Sequence, residues 1–230
     1  MREVFVLSAG AAKAVVLALK ADFERKEGIA LRTTFGAVGA MRDQWSAGAP
    51  CDILILSAKL LDDLARDRAI DARVALGRVR TGIAVRAGSA LPPIADGDEL
   101  RRAFLAATSL YLPDPQRATA GIHCVEVLRR LGILDAMQPR LRAFPNGAAA
   151  MAGLATASDE RAIGCTQATE ILYTPGVTLV GALPAGFELN TEYAAAVAAR
   201  AREATIARRF VARLGGDETL ATRRAEGFEV

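Results

Sequence analysis

Short apolar runs that end in turns of small residues and continue as helices recur along this chain, and this order constrains its fold more than any other feature. Val4 to Ser8 is nearly all apolar and leads into the turn Ser8-Ala9-Gly10-Ala11. Ile29 to Phe35 leads into Gly36-Ala37-Val38-Gly39, and Asp52 to Leu56 again precedes a helical pattern. Buried parallel strands are typically continuous apolar runs. Each needs a crossover segment, usually a helix, to reach the next parallel strand. The pattern predicts an α/β protein in which helices cover both faces of a mainly parallel sheet.

A second set of the same elements begins after residue 97 and predicts a second lobe. Its strand-to-helix turns are Arg117-Ala118-Thr119-Ala120-Gly121 and Pro145-Asn146-Gly147. We therefore predict one discontinuous lobe of residues 1–82 with 188–230 and a second lobe of residues 83–187. The ligand is expected in the crevice between the lobes, because ligands bind outside the carboxyl ends of the strands in such folds.

The composition excludes several classes of function. The 29 basic and 26 acidic residues give a net charge of +3 and form no run of Lys and Arg interleaved with aromatic residues, so we expect no nucleic-acid partner. Cys51, Cys124 and Cys165 lie far apart, which indicates free thiols, and His123 is the only histidine. A zinc site or a Ser-His-Asp triad is therefore hard to assemble, and we expect neither a metal ion nor an organic cofactor.

Hydropathy and the first residues of the chain bear on its location. No stretch of about 18 apolar residues occurs, so we expect no membrane span. Arg2 and Glu3 precede the first apolar run, which is typical of a strand beginning and not of a secretory signal. The expected location is the periplasm if a signal peptide has been removed, and the cytoplasm otherwise. We expect a monomer.

The turns that open the helices are built from small residues, and this predicts a site for an anion. Small residues let backbone N–H groups approach a ligand, and the amino-terminal end of a helix favours negative charge. Ordinary tight-turn geometry also produces any one such turn, but four of them in one chain favour the anion site. The turns match neither GxGxxG nor GxxxxGK[ST], which argues against a nucleotide. The expected partner is a small anionic molecule.

Longer segments carry a resemblance to a known group of proteins. They are Ala47-Gly48-Ala49-Pro50-Cys51-Asp52-Ile53, Thr119-Ala120-Gly121-Ile122, Ile163-Gly164-Cys165-Thr166-Gln167 and Gly227-Phe228. On these residues the chain resembles the molybdate-binding-protein group of periplasmic solute-binding proteins, the substrate-capturing parts of ABC transporters. The resemblance implies a two-lobe periplasmic-binding-protein (Venus-flytrap) fold, in which each lobe is a mixed, mainly parallel sheet with flanking helices.

The resemblance also implies which positions face the ligand. Proteins of this group hold an oxyanion through two serines, backbone amides and a tyrosine hydroxyl. Ala11 and Val38 stand at the serine positions, and Gln167 stands at the tyrosine position. Ala120 and Gly147 stand where backbone amides contact the ion. Since the hydroxyl donors are absent while the backbone cradle is kept, we predict weak or no binding of molybdate and tungstate.

Polar side chains near the same turns favour a planar carboxylate over a tetrahedral oxyanion. Arg117 suits a bidentate pair with a carboxylate, although an arginine in a turn is also typical of a solvated surface. Thr119, Asn146 and Gln167 add hydrogen-bonding groups. The complete predicted ligand-binding set is Ser8, Ala9, Gly10, Ala11, Ala37, Val38, Gly39, Arg117, Thr119, Ala120, Asn146, Gly147 and Gln167.

Two functions fit these predictions. The first is a solute-binding protein that closes on a small anion, a carboxylate or an oxyanion, for uptake through an ABC transporter permease or for sensing. The second is a cofactor-independent isomerase that moves a double bond in a small di- or tricarboxylate by proton transfer, because aconitate isomerase is similar to the same group. No residue is assigned a catalytic role, and the fold does not decide between the two functions.

Overall fold

A computed structural model describes residues 2–230, and these divide into two compact units. Unit 1 comprises the described residues up to Val79 together with Thr191–Val230, and unit 2 is Arg80–Asn190. The chain therefore enters unit 2 once and returns once. The two lobes predicted from the sequence have bounds at residues 82/83 and 187/188. The division into compact units does not test whether these lobes move as rigid bodies, so the lobe bounds remain a prediction.

Strands and helices alternate along most of the chain. The strands are β1 (Arg2–Ala9), β2 (Ile29–Gly36), β3 (Ile53–Ser57), β4 (Ile70–Arg86), β5 (Leu110–Pro113), β6 (Leu141–Phe144), β7 (Ile163–Gln167), β8 (Val177–Ala182) and β9 (Asn190–Ala198). The helices are α1 (Lys13–Glu27), α2 (Val38–Ser46), α3 (Ala58–Arg66), α4 (Gly97–Ala106), α5 (Thr119–Arg130), α6 (Leu134–Met137), α7 (Gly147–Ala155), α8 (Ala168–Tyr173), α9 (Ala204–Gly215) and α10 (Leu220–Ala225). Single 3-10 turns occupy Gly10–Ala12, Gln138–Arg140 and Asp217–Thr219.

The sheet of unit 1 has the strand order β2-β1-β3-β9, with β4 next to β9. β1 runs parallel to β2 and β3, and β9 is antiparallel to β3. The register places Ala9 opposite Gly36 and Ser8 opposite Ile55. The carboxyl ends of the three parallel strands therefore share one edge, called here the strand-end edge of unit 1.

The sheet of unit 2 has the strand order β8-β4-β7-β5-β6. β5 is parallel to β6 and β7, whereas β4 is antiparallel to both β7 and β8. The parallel strands end at Pro113, Phe144 and Gln167. These three ends form the strand-end edge of unit 2.

Apolar side chains fill each unit between its sheet and its helices. In unit 1, Phe23 of α1 packs on Phe210 of α9 with ring centroids 4.7 Å apart. In unit 2, Phe104 and Leu128 are fully buried together with the thiols of Cys124 and Cys165, which are free. Burial of a large apolar side chain stabilises a fold by roughly 1.5–3 kcal/mol, so these two cores hold the edges in place.

The predicted α/β class with mixed sheets and flanking helices is confirmed. Two details differ from the sequence prediction. β4 begins at Ile70, where the sequence predicts no strand. Residues 70–79 alternate between more and less exposed positions and carry two arginines, so no apolar run marks the strand. The short helices α6 and α8 were not expected, since they are too short to show a helical period. Among residues 2–230, no helix is both long and apolar enough to span a bilayer.

Candidate functional site

Three helices of unit 1 open at its strand-end edge. β1, β2 and β3 end at Ala9, Gly36 and Ser57, and α1, α2 and α3 follow them in turn. The residues that precede these helices, Ala12, Ala37 and Ser57, make no side-chain capping hydrogen bond. First-turn amides of a helix have no partner within the helix, and its dipole places positive charge there. This edge therefore offers three helix ends with partial positive charge and no side-chain cap.

The predicted ligand-binding residues of unit 1 belong to the first two of these loops. Ser8 is fully buried, and its Oγ donates to the carbonyl oxygen of Ala9 at 3.0 Å, so this hydroxyl is used within the chain. Ala11 and Val38 contribute only apolar side chains, which leaves the backbone amides as donors. The structure brings together Ser8, Ala9, Gly10, Ala11, Ala37, Val38 and Gly39 at neighbouring strand ends.

Two residues of the same edge were missed by the sequence prediction. Ser57 is half-buried at the end of β3. The run that ends in Ser57 and continues as a helix repeats the pattern at Ser8, and this repetition was the available signal. Lys13 is the first residue of α1, and its Nζ lies 5.9 Å from the ring centroid of Phe35. The structure therefore places this ammonium group beside the end of β2.

The turn before α5 is fixed by its own backbone. Asp114 Oδ1 accepts hydrogen bonds from the amides of Gln116 at 2.8 Å and Arg117 at 3.1 Å. Gly121 lies so close to the turn that a Cβ there would stand 2.3 Å from the carbonyl oxygen of Pro113. The side chain of Arg117 is exposed. Arg117 is therefore carried at the surface by a rigid turn.

The amino-terminal end of α5 is the counterpart, in unit 2, of the open helix ends of unit 1. Ala118 precedes the helix and makes no side-chain capping hydrogen bond. Thr119 is half-buried and Ala120 is buried in the first turn. These predicted residues follow β5, the strand between β6 and β7.

Two other long helices, α4 and α7, have side-chain caps. Asp96 accepts a hydrogen bond from an amide of α4, and Asn146 Oδ1 accepts one from the Ala149 amide of α7 at 2.9 Å. Buried Asp52 accepts from the Arg202 amide just before α9 at 2.6 Å. Within residues 2–230, the helices of eight or more residues without a side-chain cap are α1, α2, α3, α5 and α9, and the first four of these follow parallel strands.

A buried carboxylate fills the amino-terminal end of α7. Glu170 of α8 is 6% exposed, and its Oε2 accepts a hydrogen bond from Thr166 Oγ1 at 2.6 Å. Backbone amides of Gly147, Ala148 and Gln167 also donate to this carboxylate. Burial raises the pKa of Glu170, while the hydroxyl and the amides act in the opposite direction. The amide of Gly147, predicted from the sequence to contact the ligand, is thus engaged inside the unit.

Gln167 ends β7 and is surrounded by other buried polar groups. Its side chain is 3% exposed, and Thr81 of β4 is its partner in the sheet register. The hydroxyls of Thr81 and Thr169 are buried and have no hydrogen-bond partner among residues 2–230. Such hydroxyls can donate to or accept from a polar group that approaches this edge.

Groups capable of acid–base or metal chemistry are not gathered at these edges. His123 Nε2 donates to the carbonyl oxygen of Phe187 at 2.8 Å, and since a carbonyl only accepts, this nitrogen carries the proton. Within the described part of the chain, no group of three or more His, Cys, Asp or Glu side chains could hold a metal ion.

One hollow of unit 1 lies away from the strand-end edge. It has a volume of about 740 Å³ and adjoins the start of β3 and the end of β9, with Trp45, Asp52, Arg68, Arg200 and Arg202 in its wall. The carboxyl-terminal ends of α2 and α3 also meet there. Helix carboxyl ends carry partial negative charge, and the three arginines in the wall carry the opposite sign.

Comparison with known proteins gives one family match across the chain. The family model described as bacterial extracellular solute-binding protein matches residues 4–229. The chain is 25% identical over 213 residues to the molybdate-binding protein ModA of Escherichia coli, covering 91% of this chain and 82% of that protein. It is also 25% identical over 213 residues to an aconitate isomerase of a Pseudomonas species, covering 88% and 78%. The periplasmic molybdate-binding protein of Azotobacter vinelandii superposes with a TM-score of 0.80 at 20% identity, covering 99% of each chain.

Proposed function

Because the chain belongs to the family of bacterial extracellular solute-binding proteins, we propose that it captures a small anion at its strand-end edges and delivers it to an ABC-type permease. It has the two-lobe periplasmic-binding-protein fold. The proposed location is the periplasm, as the family description and the periplasmic relative support. The proposed ligand-binding groups are those of the strand-end loops in each unit.

The observation that carries this proposal is the set of open helix ends. α1, α2 and α3 in unit 1 and α5 in unit 2 begin after parallel strands without a side-chain cap, whereas α4 and α7 are capped. An uncapped helix end costs stability, since its amides are left to solvent. Each of these four ends, at the strand-end edge of its own unit, is suited to bind an anionic group.

An organic carboxylate is the proposed ligand class. Ala11, Val38 and Gln167 supply none of the hydroxyl donors that the resemblance associates with tetrahedral oxyanions. Lys13 places an ammonium group beside the end of β2 in unit 1, and Ser57 adds a hydroxyl at the end of β3. Molybdate and tungstate are therefore expected to bind more weakly than a di- or tricarboxylate.

Calorimetric titration of carboxylates and inorganic oxyanions tests this proposal. The wild-type protein should bind at least one small carboxylate at least tenfold more tightly than molybdate. Lys13→Met should weaken that binding about five- to tenfold, because a cation near the bound anion is lost. Lys26→Met is the matched control, since Lys26 stands near the other end of α1, is exposed and pairs with Asp22. Absence of binding to any anion in the series would refute the proposed function.

Arg117 and Gln167 are the proposed side-chain contacts from unit 2. Because Arg117 is exposed, a pair with a bound carboxylate is worth about 1 kcal/mol in water and more when the ligand excludes solvent. Arg117→Ala should therefore weaken the best carboxylate by roughly fivefold or more. Arg102→Ala, an exposed arginine on α4, controls for the change in net charge. Equal affinities in the two variants would remove Arg117 from the site.

An isomerase that uses the same site is the second candidate, and the similarity to aconitate isomerase supports it. This reaction requires a group that moves a proton between two carbons of the substrate. Incubation with cis- and trans-aconitate, followed by separation of the two acids, tests it directly. Turnover that survives purification and disappears in a protein denatured by heat would favour the enzyme over the binding protein.

A further inference from the structure

The two long helices that open at the strand-end edge of unit 2 differ in their electrostatics. α5 and α7 follow the adjacent parallel strands β5 and β6, and both have amino-terminal dipole ends that attract anions. No side chain caps the first turn of α5, and the carboxylate of Asp114 accepts from amides of the turn before it, whereas α7 receives the carboxylate of Glu170. An incoming anion therefore meets positive charge at one helix and an existing negative charge at the other.

The contacts of Glu170 are those of a bound anion. Its Oε2 accepts from Thr166 Oγ1 at 2.6 Å, and amides from two different segments, at Gly147 with Ala148 and at Gln167, point to the same carboxylate. Gly147 leaves the space that the carboxylate occupies, because a Cβ there would lie 1.9 Å from Glu170 Oε2. The amino-terminal end of α7, where an external anion could bind, is called here the α7 anion position. The side chain of Glu170 occupies it.

We propose that Glu170 determines ligand specificity by occupying this position, so that the ligand has one anionic group at α5 and an uncharged polar group near β7. This inference rests on the proposed function and narrows its ligand class. A second anionic group near β7 would meet the Glu170 carboxylate, and like charges at short range in a buried setting repel strongly. A compact, fully charged oxyanion such as sulfate or molybdate is disfavoured for that reason.

Neutral hydrogen-bonding groups lie where the uncharged part of the ligand would reach. The hydroxyls of Thr81 and Thr169 are 1% and 2% exposed and have no partner among residues 2–230. Both flank Gln167, one across the sheet and one two residues further along the chain. A hydroxyl or carbonyl group on the ligand would satisfy these side chains, whereas a carboxylate would be repelled by Glu170.

The experiment compares two ligand classes in two variants of equal charge. Glu170→Gln removes the negative charge at nearly constant volume, and Glu160→Gln makes the same change at an exposed position of unit 2. Calorimetry measures the affinities for sulfate, molybdate and the carboxylate that binds wild type most tightly. Glu170→Gln should raise the affinity for inorganic oxyanions relative to that carboxylate at least tenfold, and Glu160→Gln should leave the ratio unchanged.

A second variant keeps the inference testable if Glu170→Gln folds poorly. Glu170→Ala empties the α7 position, so formate should stabilise this variant against heat in a saturable manner, while formamide and sodium chloride at equal concentration should not. Wild type should show no such effect of formate. A purely structural role for Glu170 predicts lower stability with an unchanged affinity ratio, and that result would overturn the inference. Failure of wild type to bind any anion would instead refute the proposed function.

Discussion

Replacing Asp52 offers a direct test of how unit 1 is held together. Asp52 is 2% exposed and stands just before β3. Its Oδ2 accepts from the amide of Phe5 in β1 at 2.8 Å, and its Oδ1 accepts from the amides of Arg202 at 2.6 Å and Glu203 at 3.2 Å. One carboxylate therefore joins two strands to the amino-terminal end of α9, which has no side-chain cap of its own.

The expected cost follows from the donors that Asp52→Ala would leave unpaired. Loss of a cap typically costs about 1 kcal/mol, and an orphaned amide such as that of Phe5 costs about 1–3 kcal/mol. Water from the adjoining hollow can reach part of this space, so we take about 2 kcal/mol for the orphaned amide and expect about 3 kcal/mol in total. Asp52→Asn keeps one acceptor but turns its NH₂ group toward an amide donor, and should cost about 2 kcal/mol.

Denaturation monitored by tryptophan fluorescence measures the loss of stability in unit 1. Trp45 is the only tryptophan of the chain and lies in the wall of the same hollow in unit 1, so its emission reports the unfolding of that unit. For a protein of this size, 3 kcal/mol corresponds to a fall in melting temperature of about 6–12 °C. Asp67→Asn, at an exposed position of the same hollow, should change stability by less than about 0.5 kcal/mol. If Asp52→Ala were as stable as this control, the reasoning would be wrong.

Three further predictions address other contacts. Gly121→Ala should destabilise the protein by about 3 kcal/mol in a urea titration, because its Cβ would overlap the carbonyl oxygen of Pro113. Arg223→Ala should cost about 3 kcal/mol in the same assay, because this buried guanidinium donates to three backbone carbonyls. Arg213 and neighbouring cations lower the pKa of Asp22 to about 2 from 3.8, so its contribution to stability is present above pH 3.8 and lost as the pH falls to 2. Asp22→Asn should therefore be less stable than wild type at pH 6 and equal to it below pH 2, as measured by thermal unfolding.

The elements that the sequence predicted correctly are those whose signal is local. The apolar run from Val4 and the small residues after it mark a buried strand and a turn, and Gly28, in the αL conformation with φ of 64°, ends α1 as glycine commonly ends a helix. The strand-end loops that hold Ala37, Thr119 and Asn146 follow from the same pattern. These features depend on residues within a few positions of one another, so a single sequence is sufficient to find them.

The features that escaped prediction depend on contacts between distant segments. Glu170 stands in a helix of six residues, where an acidic residue is typically exposed, and only the fold brings it to the amides of Gly147 and Ala148. Asp52 lies in a segment that carries the family resemblance. Its hydrogen bond from the Arg202 amide before α9, however, joins residues 150 positions apart in the sequence. Which residues hold the ligand remains a prediction, because the choice depends on contacts with a molecule that the sequence does not describe.

The low reactivity of the native thiols simplifies the attachment of fluorescent dyes for measuring conformational change in this protein. Cys124 and Cys165 are fully buried, and burial raises the pKa of half-buried Cys51 to about 12, so little thiolate forms at neutral pH. Maleimide dyes react with thiolates and should leave all three native cysteines unmodified in the folded protein. One cysteine introduced at an exposed position of each unit would then accept a donor and an acceptor dye in an otherwise natural chain. Single-molecule energy transfer between the dyes would follow the response of the protein to each candidate anion without removal of any native residue.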